Sequence, residues 1–482
     1  MKNSSYKFSK IITILATVVN ISFLVFLFKY DILPSNQRLI LLLFLSLIVI
    51  ITTYLAFRKN KKTKTLRVLA VILLIISLFE GIFIAYANKS IKTIEQINQK
   101  DEIDKNEMSF VVLKDSSIQS LEEAASKEIA VANAYDEANT KKALAEYKSK
   151  FSYDLIKKDL GVYSESAQAL MNGDSEVMLL NENYRPLIEE EIEDFSKKTR
   201  VLESVVVSDD EKDKREKEEV NESDSFNVYI SGIDTYGSIS TVSRSDVNLV
   251  LSVNPVDRKV LITTVPRDTY LAIGGDNNKL DKLTHAGLFG VDTSIKSLEN
   301  LLDIDIDYYS KVNFTTLTKL IDIIGGITVD NPVAFTTSSG RYDFPKGNVN
   351  MDGAKALAYS RERYNLSEGD FDRGKNQTRV MTAIIKKMLR PESLLNFNEI
   401  ANIALESVDT DMPYSKMIEL VNNQLEDGKD WTIETQALKG EGESGLSSYL
   451  MPNAKLYMMV PDENSIKEVH NGIEENNKQV KE

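Results

Sequence analysis

The chain has no cysteine, two histidines and one tryptophan, and only 21 glycines and 10 prolines in 482 residues. The absence of cysteine excludes disulfide frameworks, thiolate metal sites and thiol nucleophiles together. His285 and His470 alone argue against a Ser-His-Asp engine or a multi-histidine metal centre. Scarce Gly and Pro beside 43% apolar residues exclude a fibrous or disordered chain and supply material for packed cores, over a length of about three average domains. Chemistry is left to carboxylates, Arg, Lys, hydroxyls and amides.

Long apolar runs, by contrast, are present. Residues 11–28, 39–57 and 68–87 are each able to cross a hydrocarbon core of about 30 Å at about 1.5 Å per residue. No small-residue cleavage site closes the first, so a removed signal peptide is the weaker reading. Lys2, Lys7 and Lys10 precede the first run, and Arg58, Lys59, Lys61, Lys62, Lys64 and Arg67 separate the second from the third. That asymmetry places the N-terminus and the second loop in the cytoplasm and everything after residue 87 outside. Glu80, near the outer end of the third run, is expected to snorkel or to be protonated.

The formal charge of −14 then divides into two opposite objects, +9 over residues 1–87 and −23 over the other 395. A cysteine-free exported part leans toward a Gram-positive source. Residues 208–225 hold thirteen charges in eighteen positions and read as a solvated linker or exposed helix. The expected organisation is a three-span anchor over 1–87, a small α/β accessory domain over 88–206, a linker over 207–225 and a larger α/β domain over 226–482. In the accessory part, residues 108–113 and 176–180 read as strands and 121–145 as helix, with a charged helix through Lys197. In the larger part, 226–233, 247–253, 260–265 and 308–314 read as strands, and 291–302, 316–324, 354–359 and 373–389 as helices. Such alternation predicts a central sheet covered on both faces.

Arginines in this acidic part fall at strand ends and helix starts: Arg244 in VSRSD, Arg267 in VPRDTY, Arg361 and Arg363 in SRER, Arg373 in FDRGKNQ. Arg373 and Gln377 share a helix face near its positive end. Two like charges about 4 Å apart repel by about 4 kcal/mol at an effective dielectric of about 20, so convergence of these groups calls for bound anions such as phosphates. The plainer reading pairs Arg244 with Asp246, and Arg373 with Asp370 or Asp372. Asp234 ends one strand and Asp246 opens the next, a pair of hard oxygen ligands suited to Mg²⁺ on a polyphosphate, although Asp is also a common turn former.

The ordered succession SGIDTYG, RSDVNLVLSVNP, ITTVPRDTYL, DKLTHAG, YYSKVNF, IIGGITV, ALAYSRER and GDFDRGKNQ resembles the LytR-CpsA-Psr family of cell-envelope proteins. The full layout is similar to its capsule-associated streptococcal CpsA branch. The resemblance implies an LCP-type central sheet flanked by helices. It also implies a phosphotransferase that moves capsular polysaccharide or a related anionic glycopolymer from an undecaprenyl pyrophosphate carrier to peptidoglycan. By that resemblance Arg244, Arg267, Arg361, Arg363, Arg373, Gln377 and Lys282 would contact phosphates. Asp234 and Asp246 would hold Mg²⁺, or Mn²⁺, and Arg267, Asp234, Asp246 and Asp370 would be catalytic. An apolar cavity would take the polyprenyl tail. The family often has Arg immediately before the motif Gln, whereas Asn376 stands here, with Lys375 beside it as a substitute cation. His285 reads as a hydrogen-bonding core residue.

In the resulting mechanism a sugar hydroxyl of peptidoglycan attacks the phosphorus next to the glycan and undecaprenyl phosphate departs. A lipid pyrophosphatase using water is one alternative. A non-enzymatic membrane regulator of capsule synthesis or transcription, acting with other capsule-assembly proteins, is the other. The short basic loops carry no DNA-binding motif, and no nucleic-acid partner is expected.

Overall fold

The computed structural model describes residues 2–30, 33, 35–57, 63–98, 105–151, 155–208, 224–233, 243–367, 369–390, 392–393, 400 and 408–478. The charged run expected as a linker falls almost wholly outside the described residues. The chain divides into two compact units, one of residues 1–99, 388–406 and 412–430, the other of residues 100–387, 407–411 and 431–482.

In the first unit, α1 (Lys2–Lys29), α2 (Ser35–Phe57) and α3 (Thr63–Asn98) carry the three apolar runs. Each contains a stretch long and apolar enough to cross a membrane: Lys10–Lys29, Ser35–Leu55 and Val68–Ala85. Phe23, Leu27 and Leu45 pack between the helices, while Leu15, Val25, Leu43 and Phe79 face outward, the arrangement that an apolar solvent permits. A polar seam joins α1 to α3, where the Asn20 amide donates to Ser77 Oγ at 3.0 Å. Glu80 lies one turn beyond Ser77 and is 5% exposed, so it faces the bundle instead of reaching outward as snorkelling would require.

The second unit holds two principal sheets. The first comprises β1 (Lys105–Leu113), β2 (Glu128–Val131), β3 (Ile156–Asp159), β4 (Val177–Asn181) and β5 (Thr199–Ser208), in the order β3-β2-β4-β1-β5. Helices α4 (Asn133–Phe151), α5 (Tyr163–Asn172) and α6 (Arg185–Glu191) accompany it. The stretch expected as one helix over 121–145 is instead a turn of helix at Leu121–Ala124, then β2, then α4. Three buried residues of EIAV are parallel-sheet core, which alternation cannot reveal in four residues.

The second sheet contains β6 (Phe226–Ile233), β7 (Ser245–Asn254), β8 (Lys259–Thr264), β9 (Tyr308–Val312), β10 (Asp409–Thr410) and β11 (Thr432–Ala437) in the order β10-β9-β6-β7-β8-β11. Its period-two alternation sends Tyr229 and Val250 to one face, where α7 (Val291–Leu302) packs through Ile295, Leu298 and Leu302. Ile230 and Leu249 line the opposite face beneath α8 (Phe314–Ile323), α9 (Gly353–Arg361) and α10 (Asp370–Met388). Helix α11 (Glu463–Asn477) adds Val469 and Ile473 to the first face, so the sheet is covered on both sides as expected.

The two sheets share apolar packing. Tyr163, Tyr184, Leu187 and Ile188 join Leu288, Leu450 and Met451 in one cluster, and the Tyr135 ring lies 6.1 Å from Phe289 and 5.9 Å from Tyr449.

Candidate functional site

Antiparallel pairing of β6 with β7 and of β7 with β8 brings the C-terminal ends of β6 and β8 and the N-terminal end of β7 to one end of the second sheet. Arg244 and Asp246 enter from the start of β7, and Arg267 follows β8 after a Val-Pro step. Asn313, just past β9, accepts from the Thr316 amide at 2.9 Å and so caps α8. Arg361 closes α9 and Arg373 lies in the first turn of α10.

These elements enclose a cavity of about 420 Å³ lined by Arg244, Asp246, Arg267, Arg361, Arg363, Arg373 and Gln377 together. Five arginines and the glutamine expected from sequence therefore converge. The rest of the wall is mainly apolar: Ile230, Ile233, Val247 and Leu249 from the sheet, Val312, Phe314, Leu317 and Leu357 beside them, and Val380, Met381 and Ile384 from α10. Two guanidinium groups rest on aromatic rings, Arg361 4.2 Å from the Phe314 centroid and Arg363 4.6 Å from that of Tyr364.

Carboxylates offset this concentration of charge. Arg267 Nη1 donates to Asp246 Oδ1 at 3.0 Å, and the Thr284 hydroxyl donates to the same oxygen at 3.1 Å. Burial pushes the Asp246 carboxyl up, but Arg267, Arg244 and Arg373 outweigh it and hold the group below the usual carboxylate range. The plainer pairing of Arg244 with Asp246 is corrected: Arg244 pairs with Glu190, on α6 of the other sheet. No spacing in the sequence could have joined residues from separate sheets.

Lys282 does not line this cavity. Its amine sits 3.0 Å from Asp268, whose other oxygen lies 3.7 Å from Arg267 Nε, so Asp268 stands between Lys282 and the arginine. Asp234 falls outside the described residues, as does the side chain of Asp370, whose backbone opens α10. Asn376 is buried; its amide donates to the Tyr359 carbonyl and its oxygen accepts from Arg379 at 2.7 Å. Lys375, expected as a substitute cation, is 3.2 Å from Asp372 and lines a different cavity, so it does not replace an arginine here.

That second cavity, about 520 Å³, shares Asp246, Arg267, Arg373 and Gln377 with the first. His285 has no place in either. It is buried against Asp281 at 2.8 Å, and Asp281 also accepts from Ser448 and from the Leu450 amide, an arrangement that holds a loop in place. Among the described residues no three His, Asp or Glu side chains group as a metal centre.

A family model, LytR_cpsA_psr, matches residues 196–471, more than half of the chain. The chain belongs to the LytR_cpsA_psr family. A relative from Enterococcus faecalis, named polyisoprenyl-teichoic acid–peptidoglycan teichoic acid transferase TagU, is 37% identical over 210 residues, 43% of this chain and 68% of its own. The protein of the same name from Halalkalibacterium halodurans is 35% identical over 257 residues, covering 53% and 80%. The crystal structure of Bacillus subtilis TagV aligns with 53% of this chain and 97% of that one at 29% identity and a TM-score of 0.46. A second model, DNA polymerase processivity factor, matches residues 59–180, too small a share to place the chain in that family.

Proposed function

We propose that the chain transfers an anionic glycopolymer, of the capsular polysaccharide or teichoic acid kind, from a polyprenyl pyrophosphate carrier to peptidoglycan. The observation that carries this reading is the cavity that joins five arginines at its polar wall to an apolar interior between sheet and helices. An amphiphile with a diphosphate head and a hydrocarbon tail matches both halves: bidentate guanidinium contacts suit phosphate oxygens, and Val380, Met381 and Ile384 suit the tail. The transferase activity for which the relatives are named supports it.

In the reaction the acceptor hydroxyl oxygen bonds to the phosphorus that carries the glycan. The bond from that phosphorus to the bridging oxygen breaks, the polyprenyl phosphate leaves with the electron pair, and the hydroxyl proton ends on that phosphate. Arg267 and Arg373, beside Asp246, stabilise the charge gathering on the departing phosphate. A divalent cation commonly takes one or two carboxylates together with substrate phosphates, and the ionised Asp246 fits that role, with Asp234 as its partner. Such an ion, Mg²⁺ or Mn²⁺, would add charge neutralisation at the diphosphate. The three apolar helices anchor the site beside its lipid substrate, with the N-terminus cytoplasmic and the two sheets outside.

The test is reconstitution of the full chain with a lipid-linked glycan, Mg²⁺ and peptidoglycan. Covalent attachment of the glycan, with kcat/KM reduced roughly 10²- to 10³-fold by Arg267→Ala and less by Arg267→Lys, is expected. Release of phosphorylated glycan to water without attachment would overturn the transferase reading.

A further inference from the structure

Helix α10 stands over the second sheet as a divider. Val380, Met381 and Ile384 line the cavity assigned to the lipid, whereas Gly374, Lys375, Thr378, Arg379, Thr382 and Lys386 line the other. The helix is pinned there by a 2.7 Å hydrogen bond between the Thr378 and Thr264 hydroxyls. The wall common to both cavities is made of Asp246, Arg267, Arg373 and Gln377, the groups that would hold the diphosphate.

We infer that the second cavity is the acceptor subsite, taking a carbohydrate chain that carries carboxylates. This rests on the phosphotransfer reading above. Attacking and leaving oxygens lie roughly in line across the transferred phosphorus. With the departing polyprenyl phosphate on the apolar side of α10, the attacking hydroxyl approaches from the opposite side, where this cavity opens.

The lining has the matching chemistry. Phe371 and Tyr457 present rings that are 45% and 48% exposed, flat apolar surfaces against which sugar faces stack. Thr328, Thr382 and Gln436 line it with oxygens that can accept, their own protons going to Asn350, the Thr378 carbonyl, and Thr263 with the Val469 carbonyl; Lys386 brings a cation for carboxylates, beside Arg379, which also donates to Asn376. At about 520 Å³ the cavity lies within the range of ligand pockets, about 300–1,000 Å³. The first cavity's polar wall is the arginine cluster already assigned to the diphosphate.

The experiment measures steady-state transfer by the full chain, varying lipid-linked donor and soluble uncrosslinked peptidoglycan oligomer independently. Tyr457→Ala and Phe371→Ala are expected to raise the KM for acceptor by about tenfold, as removal of a stacking anchor does, with the KM for donor within about twofold. Lys386→Glu, at an exposed helical position where refolding is not at stake, is expected to act in the same direction. A rise in the donor KM alone would assign the cavity to the donor's own glycan and overturn the inference. Unchanged acceptor KM in all three variants would overturn it as well. If the unaltered chain attaches no glycan, the phosphotransfer reading itself has failed, an outcome distinct from either.

Discussion

At the scale of residues, the arginine blocks carry their own carboxylates, Asp246 in VSRSD and Asp268 in VPRDTY, but do not announce the pairings those carboxylates make. Asp246 takes Arg267 and Thr284, and Asp268 sits between Arg267 and Lys282; away from the cavities, Asp281 gathers His285, Ser448 and the Leu450 amide. The arginines were legible because their blocks are continuous in sequence. Their partners were less so, since Thr284 reaches Asp246 from 38 positions away and only folding sets that distance. Loss of solvent pushes the carboxyls of Asp246 and Asp281 up, yet arginines in one case and His285 with backbone amides in the other outweigh it and hold both below the usual carboxylate range. A carboxyl depressed in the folded state contributes stability that is complete above its unfolded value near 3.9 and is lost as pH falls through the folded value. Thermal unfolding of the full chain is therefore expected to be flat in pH from about 5 to 7 and to steepen below about 4, each such group adding up to about 1.4 kcal/mol per pH unit. Asp281→Asn should make that acid limb shallower; an unaltered limb would show that Asp281 does not contribute.

At the scale of elements, the larger sheet and its helices were readable, and the failures have physical causes. Val291–Leu302 and Phe226–Ile233 match their predicted bounds because a long amphipathic repeat and a wholly buried strand each leave a plain pattern. β3 carries Lys157 and Lys158 and lies at a sheet edge, where charged side chains protect the exposed ladder and erase the strand pattern. β11 is mostly polar and mostly exposed, without a period-two pattern, and it too is an edge. The block DKLTHAG ends in a glycine whose meaning appears only in three dimensions: a Cβ at Gly287 would come within 2.6 Å of the Ser243 carbonyl and 2.8 Å of the Ser245 amide. The backbone there is ordinary helical, so close approach is the requirement and not dihedral freedom. Gly287→Ala is expected to push the segment that carries Arg244 and Asp246 away from the cavity, costing about 1–3 kcal/mol in unfolding free energy and weakening donor binding. Calorimetry of the variant with donor titration checks both; full stability with unchanged donor KM would refute the packing argument.

At the scale of the whole molecule, the division of charge between a basic anchor and an acidic remainder was legible from counting, and so were the three apolar helices. The role of the smaller sheet was not, because its contribution to the site is a single side chain on a short helix. Glu190 pairs with Arg244 and lines the arginine cavity, so a carboxylate from one sheet faces the cationic wall of the other. Both side chains remain partly exposed, 22% for Arg244 and 40% for Glu190, and exposed pairs of this kind are worth about 0–1 kcal/mol, so this contact does little to hold the two sheets together. The shared cluster around Tyr135, Phe289 and Tyr449 has the apolar surface for that task. What Glu190 does change is the potential at the cavity: in the proposed reaction it would compete with an incoming phosphate for Arg244. Glu190→Gln is therefore expected to leave unfolding within about 1 kcal/mol of the parent and to lower the donor KM about two- to fivefold at low salt. The gain should shrink as ionic strength rises toward 0.15 M, where the screening length falls to about 8 Å. A donor KM that rises instead would mean that Glu190 orients Arg244 toward the phosphate rather than competing for it.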